Sequence, residues 1–299
     1  MKKTIKDYLG TLRVPFLLLN PSCVALGAGC AFWRKGSINW VDALLALVGA
    51  VCAHASVNSL NEYSDFHTGV DFHTVRTPFS GGSGTLQRHP DMTGYALGIG
   101  LACAAITAAI GLYFAVVCGW KILPVGILGL VTVLLYTPWL TRRPLLCLVA
   151  PGLGFGTCMV MGTDVVLGGD YSMAALAASM VPFFLVSNLL LLNQFPDVEA
   201  DRTGRRKNIL IDSGIRTGAV VYAAFLAGTY VSVVLAVLLR ILPPLALLAL
   251  LTVPLAGRAA TGALRDGYDA AKLKPALGIN VVLNLLTPLL LACGLFLSR

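Results

Sequence analysis

Between Tyr171 and Asp201 the chain reads YSMAALAASMVPFFLVSNLLLLNQFPDVEAD. The first 26 residues of this stretch, up to Pro196, contain no charged side chain, and the last five contain three acids. A membrane-spanning helix needs about 20 predominantly apolar residues. The stretch therefore predicts a membrane span that carries a cluster of carboxylates at its end.

The composition of the whole chain agrees with a protein that lies mostly in a membrane. Of the 299 residues, 57% are apolar and only 12% are charged, whereas soluble domains carry about 25% charged residues. A water-exposed surface needs more charge than this chain has. The composition excludes a pair of soluble domains, a disordered protein, a coiled coil and a soluble enzyme with one membrane anchor.

Nine charge-free segments are long enough to cross a bilayer. Open sheets leave backbone groups unpaired in lipid, so each segment predicts a helix. We expect an all-α, polytopic membrane protein with a single domain over residues 1–299 and a cap of loops on its cytoplasmic side. The predicted spans are 14–33, 43–61, 92–117, 122–140, 144–163, 171–196, 217–239, 241–257 and 275–298.

The basic residues predict the orientation of the bundle. If the N-terminus is cytoplasmic, 17 of the 22 lysines and arginines fall on the cytoplasmic side, as the positive-inside rule requires. The net charge of +8 is then explained by topology and by contact with anionic lipids, and nucleic-acid binding is not expected. We expect a multi-pass protein of the plasma or inner membrane.

Two acidic windows share a spacing and a side of the membrane. In each, an asparagine is followed four residues later by an aspartate, so the two side chains share one face of a helix. Their recurrence suggests an internal duplication of the regions 43–91 and 171–216. The residues concerned are Asn61, Asp65 and Asp71 after the second predicted span, and Asn193, Asp197 and Asp201 after the sixth.

Carboxylates crowded at the end of a helix bundle repel one another unless cations neutralise them. Oxygen ligands without histidine or cysteine suit Mg²⁺, which takes one or two carboxylates and completes its shell with water and phosphate oxygens. The windows therefore predict a site for a diphosphate bridged by Mg²⁺, although one such window alone is more often a solvated helix end. Basic side chains that could complete the site are Arg76, Arg202, Arg205, Arg206 and Lys207.

At these residues the chain resembles the UbiA superfamily of intramembrane prenyltransferases. The spacing Asn61-x3-Asp65-x5-Asp71 is similar to the branch that prenylates 1,4-dihydroxy-2-naphthoate, and Asn193-x3-Asp197-x3-Asp201 matches the superfamily. The sequence departs from the family pattern at Glu62, where aspartate is usual, and in the segments 78–84 and 194–196.

The resemblance implies the activity and the site. The expected reaction is Mg²⁺-dependent transfer of a polyprenyl group from a polyprenyl diphosphate to an aromatic acceptor, as in menaquinone biosynthesis. The six motif residues would bind the metal, and Tyr136 would stabilise the allylic cation through its ring face. The residues expected to bind substrate are Asn61, Asn193, Arg13, Arg76, Arg142, Arg143, Arg206 and Lys207.

Other readings remain open from the sequence. Within the family, the acceptor could be a hydroxybenzoate, a homogentisate or a glycerol-phosphate lipid. A cation transporter is the rival from another class, since acids in membrane proteins mark ion paths. His54 is interpreted as a hydrogen-bonded histidine of the bundle with cavity lining as the alternative, and Asn280 and Asn284 as contacts between helices.

Overall fold

A computed structural model describes residues 3–69, 82–203 and 207–299. Every regular element of these residues is helical, as the charge-free segments predict. The helices are α1 Ile5–Gly10, α2 Leu19–Lys35, α3 Trp40–Thr68, α4 Thr85–Arg88, α5 Thr93–Val117, α6 Leu123–Leu135, α7 Pro144–Gly152, α8 Met161–Gly168, α9 Met173–Asn193, α10 Val198–Thr203, α11 Ile209–Ser213, α12 Ile215–Leu238, α13 Val253–Asp266 and α14 Ala270–Leu297.

Within the described ranges, eight helical segments are long and apolar enough to span a membrane. Each overlaps one of the predicted spans. The ninth predicted span, 122–140, corresponds to the shorter apolar segment Trp120–Leu135, so the count of nine stays a prediction. Large apolar side chains are exposed along the spans, for example Val116, Leu238 and Leu251, as is expected of surfaces that face lipid.

The helical segment that includes α13 ends later than the predicted span. The predicted span, 241–257, stops before Arg258 because a charge was taken as its boundary. The helical segment instead runs over Pro244–Asp266, and it begins as a 3₁₀-helix over Pro244–Thr252. The helical segment therefore continues past the predicted end and includes Arg258, whose long side chain can reach out of an apolar layer without ending the helix.

The span between Pro144 and Gly168 packs closely against α9, which is central to the bundle. Residues Leu153–Val160 between α7 and α8 form a π-helix, an arrangement that widens a helix locally and is frequent at functional sites. A methyl group added at Gly152 would lie 2.1 Å from the Phe183 carbonyl oxygen of α9, and one at Gly156 would lie 2.6 Å from the Ser179 carbonyl oxygen. These glycines therefore permit the close approach of the two backbones.

Buried amides and hydroxyls join α9, α12 and α14. Asn188 donates to the Tyr222 carbonyl oxygen at 2.8 Å, the Tyr222 hydroxyl donates to Asn280 Oδ1 at 3.1 Å, and Asn284 donates to the Asn280 carbonyl oxygen at 2.8 Å. Asn280 and Asn284 do not line the large cavity described below. Asn280 thus joins α14 to α9 and α12, as a contact between helices, whereas the hydrogen bond of Asn284 lies within α14.

The short helix α1 precedes the first span and is fixed by Asp7. The Asp7 carboxylate accepts hydrogen bonds from the side chain and backbone of Thr4 at 2.7 and 2.9 Å. It also lies 3.5 Å from the guanidinium of Arg88, at the end of α4. The hydrogen bonds from Thr4 lower the pKa of Asp7 to about 2. The helix is thereby held against the segment that leads into α5.

Candidate active site

A cavity of about 580 Å³ lies inside the bundle and has an apolar wall and a polar end. Its wall comes from α3, α5, α6, α9 and the span between Pro144 and Gly168. Side chains on this wall include Val57, Ile127, Leu130, Phe155 and Leu190. The polar end is formed by Arg13, Asn61, Asp65, Asn193, Asp197, Asp201, Lys207 and Asn208.

The first acidic window lies on the last turns of α3, which continues past the predicted end of its span to Thr68. Asn61 and Asp65 both line the cavity, so the prediction that their spacing places them on one helix face is confirmed. Asp65 is 4% exposed. The Asn61 amide donates to the Thr137 hydroxyl at 3.3 Å, which connects this window to the turn after α6.

The second acidic window is built differently from the prediction. Helix α9 ends at Asn193, and α10 begins at Val198, so Asn193, Asp197 and Asp201 do not share one continuous helix. Pro196 explains the break, because proline lacks an N–H donor and disfavours a helical conformation in the residue before it. All three side chains nevertheless line the cavity, because the turn between α9 and α10 keeps Asp197 and Asp201 at its polar end.

Asn208 is a cavity residue that the sequence analysis missed. Its Nδ2 donates to Asp201 Oδ2 at 2.9 Å, and its Oδ1 accepts from the Ile211 backbone at 3.0 Å as the N-cap of α11. Asn208 is 2% exposed and Asp201 is 4% exposed. The available signal was an asparagine directly before the apolar run Ile209–Ile211, a residue type that favours the start of a helix, but only the folded chain brings it to Asp201.

Arg13 lines the cavity and is held there by the buried Glu62. Glu62 is 0% exposed. Its Oε1 lies 2.7 Å from Arg13 Nε, and its two oxygens also accept from the backbone and hydroxyl of Ser83, each at 2.8 Å. Arg13 in turn donates to Asn61 Oδ1 at 3.2 Å. Glu62, the departure from the family pattern, therefore joins the N-terminal turn, α3 and the segment that begins at Gly82.

The other predicted site residues fall into three groups. Tyr136, Lys207 and His54 line the cavity. The His54 ring also lies 3.3 Å from the Asn20 amide, so His54 both lines the cavity and is hydrogen-bonded within the bundle. Arg142 and Arg143 are exposed and do not line the cavity; Arg143 instead lies over the Trp139 ring at 5.0 Å. Asp71, Arg76 and Arg206 lie outside the described residues.

The polar end fits a divalent cation shared with a substrate. Asn193 Oδ1 is buried and has no hydrogen-bond partner in the described part of the chain, and a buried acceptor needs a donor or a cation. No group of three acidic, histidine or cysteine side chains among the described residues could enclose a metal alone. Mg²⁺ needs only one or two carboxylates when phosphate oxygens complete its shell, so the residues present suit Mg²⁺ and a diphosphate together.

Residues 22–282 match the model of the UbiA prenyltransferase family. The chain belongs to this family. It is therefore a prenyltransferase that spans the membrane several times. Membership favours an enzyme over the cation transporter considered from the sequence.

Similar proteins of known name share this assignment. The chain is 29% identical to the 1,4-dihydroxy-2-naphthoate octaprenyltransferase of Mycobacterium tuberculosis, over 85% of this chain and 84% of the relative. It is 27% identical to the enzyme of the same name from Bacillus subtilis, over 72% and 69% of the two chains.

Solved structures of the family have the same fold. The apo UbiA homolog from Aeropyrum pernix K1 superposes with a TM-score of 0.71 at 16% identity, over 95% of this chain and 98% of the other. The UbiA homolog from Archaeoglobus fulgidus bound to GPP and Mg²⁺ gives a TM-score of 0.64 at 16% identity, over 97% and 99%.

Proposed function

We propose that this enzyme transfers a polyprenyl group from a polyprenyl diphosphate to 1,4-dihydroxy-2-naphthoate, as a step of menaquinone biosynthesis. One observation carries the proposal: Asp65 of the first window and Asp197 and Asp201 of the second line one cavity together with Asn61 and Asn193, and the other lining residues of that cavity are mostly apolar. The names of the relatives support the naphthoate acceptor.

The two ends of the cavity match the two parts of a prenyl diphosphate. The tail would lie against the apolar wall from α3, α5 and α6. The diphosphate would lie among Asp65, Asp197 and Asp201, with Asp71 completing the first window. Asn61 and Asn193 would orient it, and Lys207 would contribute positive charge.

Mg²⁺, when bound, stabilises the charge of the departing diphosphate as a Lewis acid. The chain's own residues would hold the diphosphate in place while the C–O bond to the prenyl carbon breaks, and the electron pair leaves with the diphosphate. Tyr136 would face the allylic cation with its ring, and the apolar wall would exclude water that would otherwise capture it.

The acceptor ring then attacks the cation, a C–C bond forms, and the ring loses a proton. With a naphthoate acceptor, loss of the carboxylate as CO₂ follows or accompanies this step. Arg13 lies at the cavity and carries the positive charge that would suit an acidic acceptor, and Glu62 fixes its position.

Purified full-length protein with Mg²⁺ and one long-chain prenyl diphosphate tests the acceptor. We expect a prenylated, decarboxylated product from 1,4-dihydroxy-2-naphthoate and none from 4-hydroxybenzoate, homogentisate or a glycerol-phosphate lipid, read by product mass. A product from one of the other acceptors alone would replace naphthoate. Diphosphate release with none of them would contradict the choice among these acceptors.

A further inference from the structure

Arg258 is a charged residue of the helical segment Pro244–Asp266, which is long and apolar enough to span a membrane. It precedes the end of α13 at Asp266 by eight residues, which places it about 12 Å along the helix from that end. Its side chain is exposed, and no ion pair or hydrogen bond of Arg258 is found in the described part of the chain. A guanidinium on a membrane-spanning helix is costly unless it meets an anion or reaches the interface.

Arg258 opens onto a groove of about 490 Å³ between α13 and α14. Arg265 and Lys272 also line it, together with Asp266 and Thr261. Arg265 pairs with Asp266 at 2.8 Å, and Lys272 pairs with Asp269 at 3.2 Å. The two carboxylates thus offset two of the three cations, and the positive charge of Arg258 remains.

The groove has a tightly packed floor and an apolar flank. A methyl group at Gly262 would lie 2.9 Å from Ala276 Cβ, so α13 and α14 approach closely there. Pro254, Pro275 and Ile279 line the flank. A ligand that fits this groove combines an anionic group with an apolar part.

We propose that the groove binds the phosphate headgroup of an anionic phospholipid. Arg258 would pair with the phosphate, Lys272 and Arg265 would add charge at the interface, and an acyl chain would lie along the apolar flank. Basic pockets between transmembrane helices bind such headgroups, and the apolar flank of the groove, between two helices long enough to span a membrane, favours a lipid over a phosphate in solution.

The groove is separate from the active-site cavity but adjoins the second acidic window. The two sets of lining residues have no member in common. However, a methyl group at Gly267, directly after α13, would lie 2.9 Å from the Phe195 ring. A lipid that holds α13 and α14 together would therefore stabilise the turn at Gly267. Phe195, which lies between Asn193 and Asp197, packs against this turn.

Native mass spectrometry of full-length protein in neutral detergent tests the proposal with phosphatidylglycerol and phosphatidylcholine. We expect the wild type to retain phosphatidylglycerol preferentially. Removing one cation near the surface should weaken that binding about fivefold in Arg258→Gln. Arg216→Gln, which removes an exposed arginine near the start of α12, is the matched control and should bind like the wild type.

Equal retention of the two lipids by the wild type, or undiminished phosphatidylglycerol binding in Arg258→Gln, would overturn the proposal. So would release of the lipid by millimolar inorganic phosphate or by geranyl diphosphate, because either would identify a different occupant. Lys272→Gln should show a loss in the same direction, and it keeps the proposal testable if Arg258→Gln does not fold.

Discussion

The carboxylates of this protein have two different roles, which burial and partners distinguish. Asp65, Asp197 and Asp201 line the cavity, where Mg²⁺ and a diphosphate would meet them. Glu62, next to Asn61 in the sequence, points away into a buried ion pair with Arg13. Helical spacing separates Glu62 from the face shared by Asn61 and Asp65, because one position changes the direction of a side chain by about 100°. Spacing could not show that Glu62 pairs with Arg13, which is 49 residues away in the chain.

Asp65→Asn and Asp197→Asn should each lower turnover about 100-fold or more, because an amide cannot replace the charge that stabilises the leaving diphosphate. Both variants should still insert in the membrane. The measurement is prenyl transfer by purified protein at saturating Mg²⁺, and Asp212→Asn, an exposed acid of α11, is the control. Full activity in either cavity variant would remove the assignment of the metal site.

Asn208→Ser should raise the Mg²⁺ concentration needed for half-maximal activity by about tenfold, because residues that orient a metal ligand commonly matter by 10- to 100-fold. Serine retains the N-cap of α11 but loses the amide that donates to Asp201. Asn39→Ser changes an N-cap of α3 outside the cavity and should leave the Mg²⁺ dependence unaltered. The same dependence in both variants would show that Asn208 only caps its helix.

Glu62→Gln should destabilise the protein by about 3 kcal/mol, because it leaves the partly buried guanidinium of Arg13 without its counter-charge. Chemical denaturation in detergent measures the change. Glu199→Gln removes an exposed carboxylate from a surface ion pair with Arg202, and its effect should stay below about 0.5 kcal/mol. Equal losses in the two variants would contradict a special role for the buried pair.

Among the helices, two local interruptions shape the cavity. The π-helical segment Leu153–Val160 contributes Gly154, Phe155 and Cys158 to the wall, and the break at Pro196 turns Asp197 and Asp201 across the polar end. A proline lies close to each interruption: Pro151 precedes the π-helical segment, and Pro196 lies between α9 and α10. Their geometry depends on how the neighbouring helices pack, because proline removes a hydrogen bond without deciding the new direction of the chain.

Gly152→Ala should destabilise the bundle by about 2 kcal/mol, since its methyl group would collide with the backbone of α9 and overpack the contact. Gly154→Ala is the matched control in the same span, because no atom lies within 4 Å of its added methyl group. Thermal unfolding in detergent compares the two. A wild-type melting temperature for Gly152→Ala would show that α7 and α9 can separate at no cost.

For the molecule as a whole, the distribution of basic residues predicts a cytoplasmic N-terminus and a cytoplasmic opening of the active site. The positive-inside rule supplies the physical reason. The proposed internal duplication of 43–91 and 171–216 also concerns the whole chain. It stays a prediction. The described parts of the two windows differ, because Asn61 and Asp65 lie on one helix whereas a turn separates Asn193 from α10.

Labelling of intact cells with a membrane-impermeant maleimide tests this orientation. Asp170→Cys, in the exposed turn between α8 and α9, should be labelled from outside, and Asp212→Cys in α11 should be labelled only after the cells are opened. The wild type measures the background from native cysteines. The reverse pattern would invert the topology.

The sequence by itself determined the membrane class, the helical spans and the two acidic windows, because a bilayer imposes long charge-free segments and makes clustered acids conspicuous. The tertiary structure decided which side chains meet at the cavity. It brought Asn208 to Asp201, fixed Arg13 through Glu62, left Arg142 and Arg143 outside, and carried α13 past Arg258. Each of these outcomes depends on contacts between segments distant in the chain, which local spacing does not encode.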